Sequence, residues 1–371
     1  MPYYISRMNA KTSNIAASAS NPMGTDGFEF VEYAALEPAR LQALFESMGF
    51  KAIAKHRSKN VTLYRQGEIN FILNSEPGSH ADGFYNAHGP SAVAMAFRVK
   101  DAGVAIKRAK QLGIETYETR VGPMELTIPA IKGIGGSLIY LVDRYGDNTI
   151  YDVDFKYLSG AEKHPRGAGL TYIDHLTHNV NRGNMDVWAE YYTSVFNFRQ
   201  IRYFDIEGKL TGLFSKAMTS PCGKIRIPIN ESADDKSQIE EFLRQYKGEG
   251  IQHIALGTDD IYASVETLKK SGVNFMDPPP ATYYGNVDSR LTGHGEDMAR
   301  MKKNGILIDG APESKSGAHD GGLLLQIFTD TVIGPIFFEV IQRKGDEGFG
   351  EGNFRALFES IEQDQLKRGV I

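Results

Sequence analysis

The sequence predicts an α+β protein made of four βαβββ modules, two in each half of the chain, followed by a C-terminal helix. Three observations carry this. Short apolar runs with strand character alternate with helical patterns. The alternation repeats, which marks a duplicated unit. Nineteen residues separate Ala94 from Gly113, and nineteen separate His253 from Gly272, so a helix C-cap glycine falls at the same distance from the same strand position twice.

Taken in order, residues 1–26 include a run, 9–21, of small and polar side chains without apolar periodicity, and a mobile N-terminal tail is expected there. A first domain, residues 27–150, opens with a strand at 28–34. Its helix carries Leu41, Leu44, Phe45 and Met48 on one face, and a further strand lies at 69–74. The second module starts at residue 91. Glycines and polar residues over 146–169 form the linker. The second domain, residues 170–371, repeats the plan with a strand over 170–180, a helix bearing Val187, Trp188, Tyr191, Tyr192 and Val195, and a strand over 225–230. Its last module runs from residue 250 through apolar strands at 323–328 and 336–343. The glycine-rich stretch 345–353 then precedes Phe354, Leu357, Phe358 and Ile361 at helical spacing. A helix over 353–368 is expected, with Asn353 as its N-cap, serving either as ordinary packing or as a lid.

Composition narrows the function. In 371 residues, 41 basic side chains face 46 acidic ones, and the net charge of −5 offers no electrostatic case for nucleic acid or anionic membrane. One cysteine, Cys222, excludes an internal disulfide and a cysteine-rich metal site, and fits a reducing compartment. No transmembrane span and no signal-peptide core are seen, so a cytoplasmic protein with a small-molecule partner is expected.

The chemistry is signalled by polar residues inside apolar strands. His253 and Glu339 lie in such runs, where an unpartnered charge is driven to neutralise. The strand over 170–180 adds His175 and His178. Residues three apart point to opposite faces, so one of the two aims inward, and alternation alone does not choose. The repeat register places Glu32, Ala94 and Tyr140 in the first half where His175, His253 and Glu339 stand in the second, so only the second half offers two histidines and a carboxylate to a metal. That donor set suits iron(II) with open positions better than manganese, and argues against calcium or magnesium. Zinc is the rival, though no His-Glu-x-x-His helix is present. Ser215, Asn230, Gln238, Gln252 and Gln326 are the polar candidates around it. Gln252 and Gln326 sit in apolar runs where a buried amide needs a partner, whereas Gln238 on a helix fits a solvated face equally well. The glycines of 348–352 lack the lysine and the nucleotide-binding βαβ unit of a phosphate loop.

The runs at 173–180, 250–256, 277–284, 324–328, 338–343 and 348–354 together resemble the 4-hydroxyphenylpyruvate dioxygenase family of the vicinal oxygen chelate superfamily, from residue 28 to the C-terminus. The resemblance implies two open-barrel domains and Fe(II) held by His175, His253 and Glu339, with a 2-oxo acid chelating through its keto and carboxylate oxygens. It further implies a polar pocket of Ser215, Asn230, Gln238, Gln252 and Gln326. Phe328, Phe349, Asn353 and Phe354 would form the ring-stacking wall and lid, with Pro228 and Phe337 completing the apolar lining. No separate acid or base is assigned. The implied reaction consumes 4-hydroxyphenylpyruvate and O2 and gives homogentisate and CO2, a step of tyrosine catabolism. Homo-oligomerisation, as a dimer or tetramer, is a family expectation. The nearest competitor is 4-hydroxymandelate synthase, whose members tend to be aliphatic at the place of Phe354. A non-catalytic binding protein of the superfamily is disfavoured by the intact ligand set.

Overall fold

The computed structural model describes residues 18–371 except 36, 120, 123, 208–210, 280, 311–321, 351, 354–361, 363–364, 367 and 370–371. The first half opens with β1 (Thr25–Ala34), α1 (Pro38–Ser47), β2 (Lys51–His56), β3 (Val61–Gln66) and β4 (Ile69–Asn74). After α2 (His80–His88) the pattern returns as β5 (Ser91–Val99), α3 (Ala102–Gln111), β6 (Thr116–Tyr117), β7 (Ala130–Lys132) and β8 (Leu138–Val142), and α4 (Ile150–Asp154) and β9 (Phe155–Tyr157) follow. The second half repeats it as β10 (Leu170–Val180), α5 (Met185–Phe196), β11 (Arg199–Glu207), β12 (Gly212–Thr219) and β13 (Arg226–Ser232). From there α6 (Gln238–Tyr246) leads into β14 (Gly250–Thr258), α7 (Ile261–Lys270), the short helices α8 (Ala281–Gly285), α9 (Val287–Arg290) and α10 (Met298–Asn304), and β15 (Leu307–Gly310), β16 (Leu323–Phe328) and β17 (Phe337–Lys344).

The two sheets have one topology. The first runs β6-β7-β8-β5-β1-β4-β3-β2 with β9 added at its edge, and the second runs β15-β16-β17-β14-β10-β13-β12-β11. The repeat extends to the helix ends. Asp101 caps α3 and Asp260 caps α7, each accepting from the amide three residues on, and Gly113 and Gly272 follow at φ values of 74° and 88° that favour glycine.

Strand pairing corrects one of the three expected correspondences between the halves. Phe30 pairs with Ala96 and Glu32 with Ala94, whereas His175 pairs with Ala255 and Thr177 with His253. With Ala94 at the place of His253, it is Phe30 that stands where His175 does, and Glu32 stands where Thr177 does. Tyr140 opposite Ala96 and Glu339 opposite Ala255 keep the expected match. A slip of two residues leaves every side chain on its original face, so alternation in the sequence does not reveal it.

Each sheet turns one face to a core shared by both halves, where Phe71 stacks on Phe338 with ring centroids 5.8 Å apart and Phe97 meets Phe196 at 5.2 Å. The halves also touch through backbone. A Cβ on Gly135 would lie 2.0 Å from the Glu249 carbonyl oxygen, and its φ of 59° is left-handed, so glycine is required there on both counts. The other face curls inward. Phe204 on β11 and Phe328 on β16 sit toward opposite edges of the second sheet yet line one pocket, which only a curled sheet allows.

Two expected boundaries move. Residues 18–26 belong to the fold rather than to a tail: Asn21 and Met23 are buried, and the Asn21 side chain accepts from and donates to the Thr25 backbone at 2.9 and 3.0 Å. Residues 1–17 lie outside the described residues. The linker is partly built into the first domain, because β9 pairs with β2. Most of the expected helix over 353–368, including Phe354, Leu357, Phe358 and Ile361, lies outside the described residues. Among the described residues no helix is long and apolar enough to cross a membrane.

Candidate metal centre and substrate pocket

His175, His253 and Glu339 come from β10, β14 and β17, three adjacent strands whose inward faces converge where the sheet curls. All three are buried, at 2%, 4% and 1% exposure. His175 Nε2 lies 3.2 Å and His253 Nε2 3.4 Å from Glu339 Oε2, and the two Nε2 atoms are 3.4 Å apart. Donors about 2.1 Å from a common centre and about 90–110° apart would stand roughly 3.0–3.4 Å from one another, so the spacing fits one ion held on one face.

Each ligand is held by a neighbour that turns one donor atom toward the centre, where His253 Nε2 also lies 3.0 Å from the Thr177 hydroxyl. Nδ1 of His175 lies 2.8 Å from Asp174 Oδ1, and Nδ1 of His253 lies 3.0 Å from Gln252 Oε1, so both Nδ1–H groups have acceptors and both Nε2 atoms turn inward. Gln326 Nε2 donates to Glu339 Oε1 at 2.8 Å, leaving Oε2 for the centre. Burial pushes the Glu339 carboxyl up, but the histidines beside it outweigh that and hold it at about 2. Burial likewise raises the Asp174 carboxyl, and Arg343 overrides it, keeping it well below the usual carboxylate range. The donors are therefore a carboxylate and two imidazoles of fixed tautomer, the chemistry a divalent transition metal requires.

His178 is settled by its face. It points into the shared core, where Nε2 lies 2.7 Å from the Tyr192 hydroxyl on α5, and burial lowers its pKa to about 3. It is a neutral core histidine away from the site.

Around the donors lies a pocket lined by Thr177, Phe204, Ser215, Pro228, Asn230, Gln326, Phe328 and Phe349. Its walls are mostly apolar, and Asn230 Oδ1 is a buried polar atom with no hydrogen-bond partner among the described residues. Such an atom costs free energy until a ligand supplies a partner. Thr177 and Phe204 join the pocket although neither is flagged by the sequence. Thr177 could have been found as the residue two beyond His175, on the same face of the same strand.

Comparison with known proteins now bears on this site. Residues 19–156 match the hydroxyphenylpyruvate dioxygenase N-terminal family, and residues 172–297 match the glyoxalase/bleomycin resistance protein/dioxygenase superfamily. The chain is 62% identical over 354 residues to a 4-hydroxyphenylpyruvate dioxygenase of Pseudomonas aeruginosa, covering 95% of this chain and 97% of that one. It belongs to the 4-hydroxyphenylpyruvate dioxygenase family. The chain is also 63% identical over 358 residues to a Vibrio vulnificus protein named hemolysin VllY, covering 95% and 98% of the two. A triple-substituted 4-hydroxymandelate synthase from Streptomyces coelicolor has a TM-score of 0.80 at 24% identity, over 92% of this chain and all of that one, a likeness that speaks for the fold.

The residues that the dioxygenase family implies for substrate are not brought to one place. Ser215, Pro228, Asn230, Gln326, Phe328 and Phe349 line the pocket at the donors. Gln238, Gln252 and Phe337 line a separate cavity of about 530 Å³. Between the two stands His253, whose ring stacks on Phe337 at 4.8 Å and whose Nδ1 faces Gln252, itself 3.5 Å from Gln238. Asn353 is buried, its Nδ2 donating to Gln326 Oε1 and its Oδ1 accepting from the Tyr283 hydroxyl, at 2.9 Å each, and the amides it was expected to cap lie outside the described residues. Phe354 lies outside the described residues.

Proposed function

We propose that this chain converts 4-hydroxyphenylpyruvate and O2 to homogentisate and CO2 with Fe(II) held by His175, His253 and Glu339. The observation that carries the reading is the buried convergence of those three donors on one face of a pocket in a member of this family. Bound there, Fe(II) would supply the redox chemistry that O2 and an aromatic ring lack by themselves. The chain's own residues do the rest. Asp174 and Gln252 hold the imidazoles in the tautomer that presents Nε2, and Gln326 holds the Glu339 carboxylate to one oxygen. Phe204, Phe328, Phe349 and Pro228 grip an aromatic ring and exclude water from the reacting end. Ser215 and Asn230 offer polar ends on that same wall, and the unpartnered Asn230 Oδ1 is an acceptor for a phenol hydroxyl. A dimer or tetramer, and action in the cytoplasm within tyrosine catabolism, belong to the same reading and rest on the family.

The test is to load the metal-free protein with Fe(II), add 4-hydroxyphenylpyruvate and air, and identify the product by chromatography against standards. Homogentisate supports the reading. 4-Hydroxymandelate would assign the synthase reaction instead, and tight substrate binding without turnover would make this a binding protein.

A further inference from the structure

A β-bulge sets up an arrangement that the donor set alone does not need. Between Ile173 and His175 the β10–β14 register shifts, so Asp174 is the extra residue and its carboxylate turns beside the ligand histidine instead of to the opposite face. Arg343, four residues after Glu339 on β17, closes a fork on that carboxylate with Nε and Nη2 at 2.7 and 2.9 Å. Its remaining nitrogen, Nη1, donates to the backbone carbonyls of Asp346 and Gly348 at 3.0 and 2.6 Å. Arg226 on β13 also reaches Asp174, at 3.7 Å, and pairs with Glu347. Two arginines meeting on one buried aspartate therefore fasten residues 346–348. The next residue, Phe349, packs its ring 5.3 Å from that of His175 and under the Arg343 guanidinium at 5.8 Å.

We propose that Arg343 is a positioning residue that couples the seating of the glycine-rich loop 345–350 to the aim of His175. One planar guanidinium orients Asp174, which fixes the His175 Nδ1–H, and holds the backbone that presses Phe349 against the same imidazole. Metal affinity and closure of the pocket wall then rise and fall together. Lysine at this position keeps a countercharge for Asp174 but has no fork to span carboxylate and two carbonyls at once. The inference rests on the metal reading above.

The first half supplies an internal control. By the strand register Glu29 takes the place of Asp174, and it pairs with Arg98 at 2.5 Å, but Phe30 follows it where a ligand histidine would stand. A purely structural role for such pairs predicts like effects in both halves.

The experiment compares the parent, Arg343→Lys, Phe349→Ala and Arg98→Lys as full-length chains, measuring Co(II) affinity from the visible spectrum and amide hydrogen exchange of residues 345–350 with and without Co(II). Arg343→Lys is expected to weaken Co(II) binding about 10–100-fold and to speed loop exchange, with the metal-dependent part of the loop's protection lost. Arg98→Lys is expected to lower the melting temperature while leaving Co(II) affinity and loop exchange as in the parent. Parent-like affinity in Arg343→Lys, or equal loss of affinity in both variants, overturns the coupling. Loss of protection in Phe349→Ala but not in Arg343→Lys also overturns it, since the ring contact alone would then be the link. A parent chain that takes up no Co(II) overturns the metal reading and this inference with it, whereas the other outcomes leave the metal reading standing.

Discussion

In the first half Phe30, Ala94 and Tyr140 stand where the second half holds His175, His253 and Glu339, and the two aromatic rings sit 5.5 Å apart in the space a metal would take. The same strand order and pairing thus enclose a solid apolar interior in one copy, filled by Ile53, Leu63, Ile72 and Tyr151, and a donor-lined pocket in the other. What differs is side-chain identity at a few inward positions, so the curled sheet is a holder whose function is written only on its concave face. The first copy is not free of polar residues there. Glu32 is buried with Asn74 donating to it at 2.6 Å and the Tyr140 hydroxyl beside it, and burial pushes its carboxyl up.

The contrast breaks most sharply at the equivalent pair His175 and Phe30. His175→Ala should take bound metal from about one per chain to near zero by elemental analysis, with the metal-free melting curve little changed. Phe30→Ala should leave metal content alone and cost about 3–5 kcal/mol of stability, read from the denaturant midpoint. If Phe30→Ala empties the site, the concave interior of the first half is not separate from the metal centre of the second. A smaller effect is expected from Gln326→Leu, which removes the donor to Glu339 Oε1 without touching a ligand. Metal affinity should fall about 10–100-fold, and an unchanged dissociation constant would show that Glu339 is aimed by packing alone.

His178 sharpens the comparison through pH. Its folded pKa of about 3 lies below the ordinary value of 6.5, so as pH falls below about 6.5 the unfolded chain takes up a proton that the folded chain refuses. Stability is lost progressively between about 6.5 and 3. Metal-free His178→Gln should therefore lose about 2 kcal/mol less than the parent between pH 7 and pH 5, measured by urea unfolding at both pH values, and its metal affinity at pH 7 should match the parent's. The smallest effect is expected at Tyr140→Phe, where Glu32 loses one hydrogen-bond partner. About 1–2 kcal/mol is expected, and no change in stability would mean that Asn74 alone satisfies the carboxyl.

The modules, most of their helices and the polar positions His253 and Glu339 were legible because each rests on a local pattern, whereas alternation left His175 and His178 open until the face of each was seen. Strand runs with period two, helix stripes and cap glycines announce themselves within ten or twenty residues. The position of Phe30 was not, because a shift of two keeps the pattern and only pairing with Ala96 fixes it. Nor could sequence separate Gln252 from Gln326. Both are amides in apolar strands, and which cavity each faces depends on how the sheet curls around His253. Asp174 and Arg343 carried a readable signal, a charged residue inside each of two apolar strands, yet their meeting depends on a bulge that no spacing predicts.

The glutamine that steadies Glu339 has one further consequence, which concerns direction. An amide gives at one end and receives at the other. Asn353 Nδ2 gives to Gln326 Oε1, and Gln326 Nε2 gives to Glu339 Oε1, so every proton along this line leans toward the carboxylate. The order of donors permits one orientation of each amide and no other. A negative charge is thereby written into the far end of the line before any ion arrives, and Asn353, which itself accepts from the Tyr283 hydroxyl, lies fourteen positions beyond Glu339, just past the glycine-rich loop.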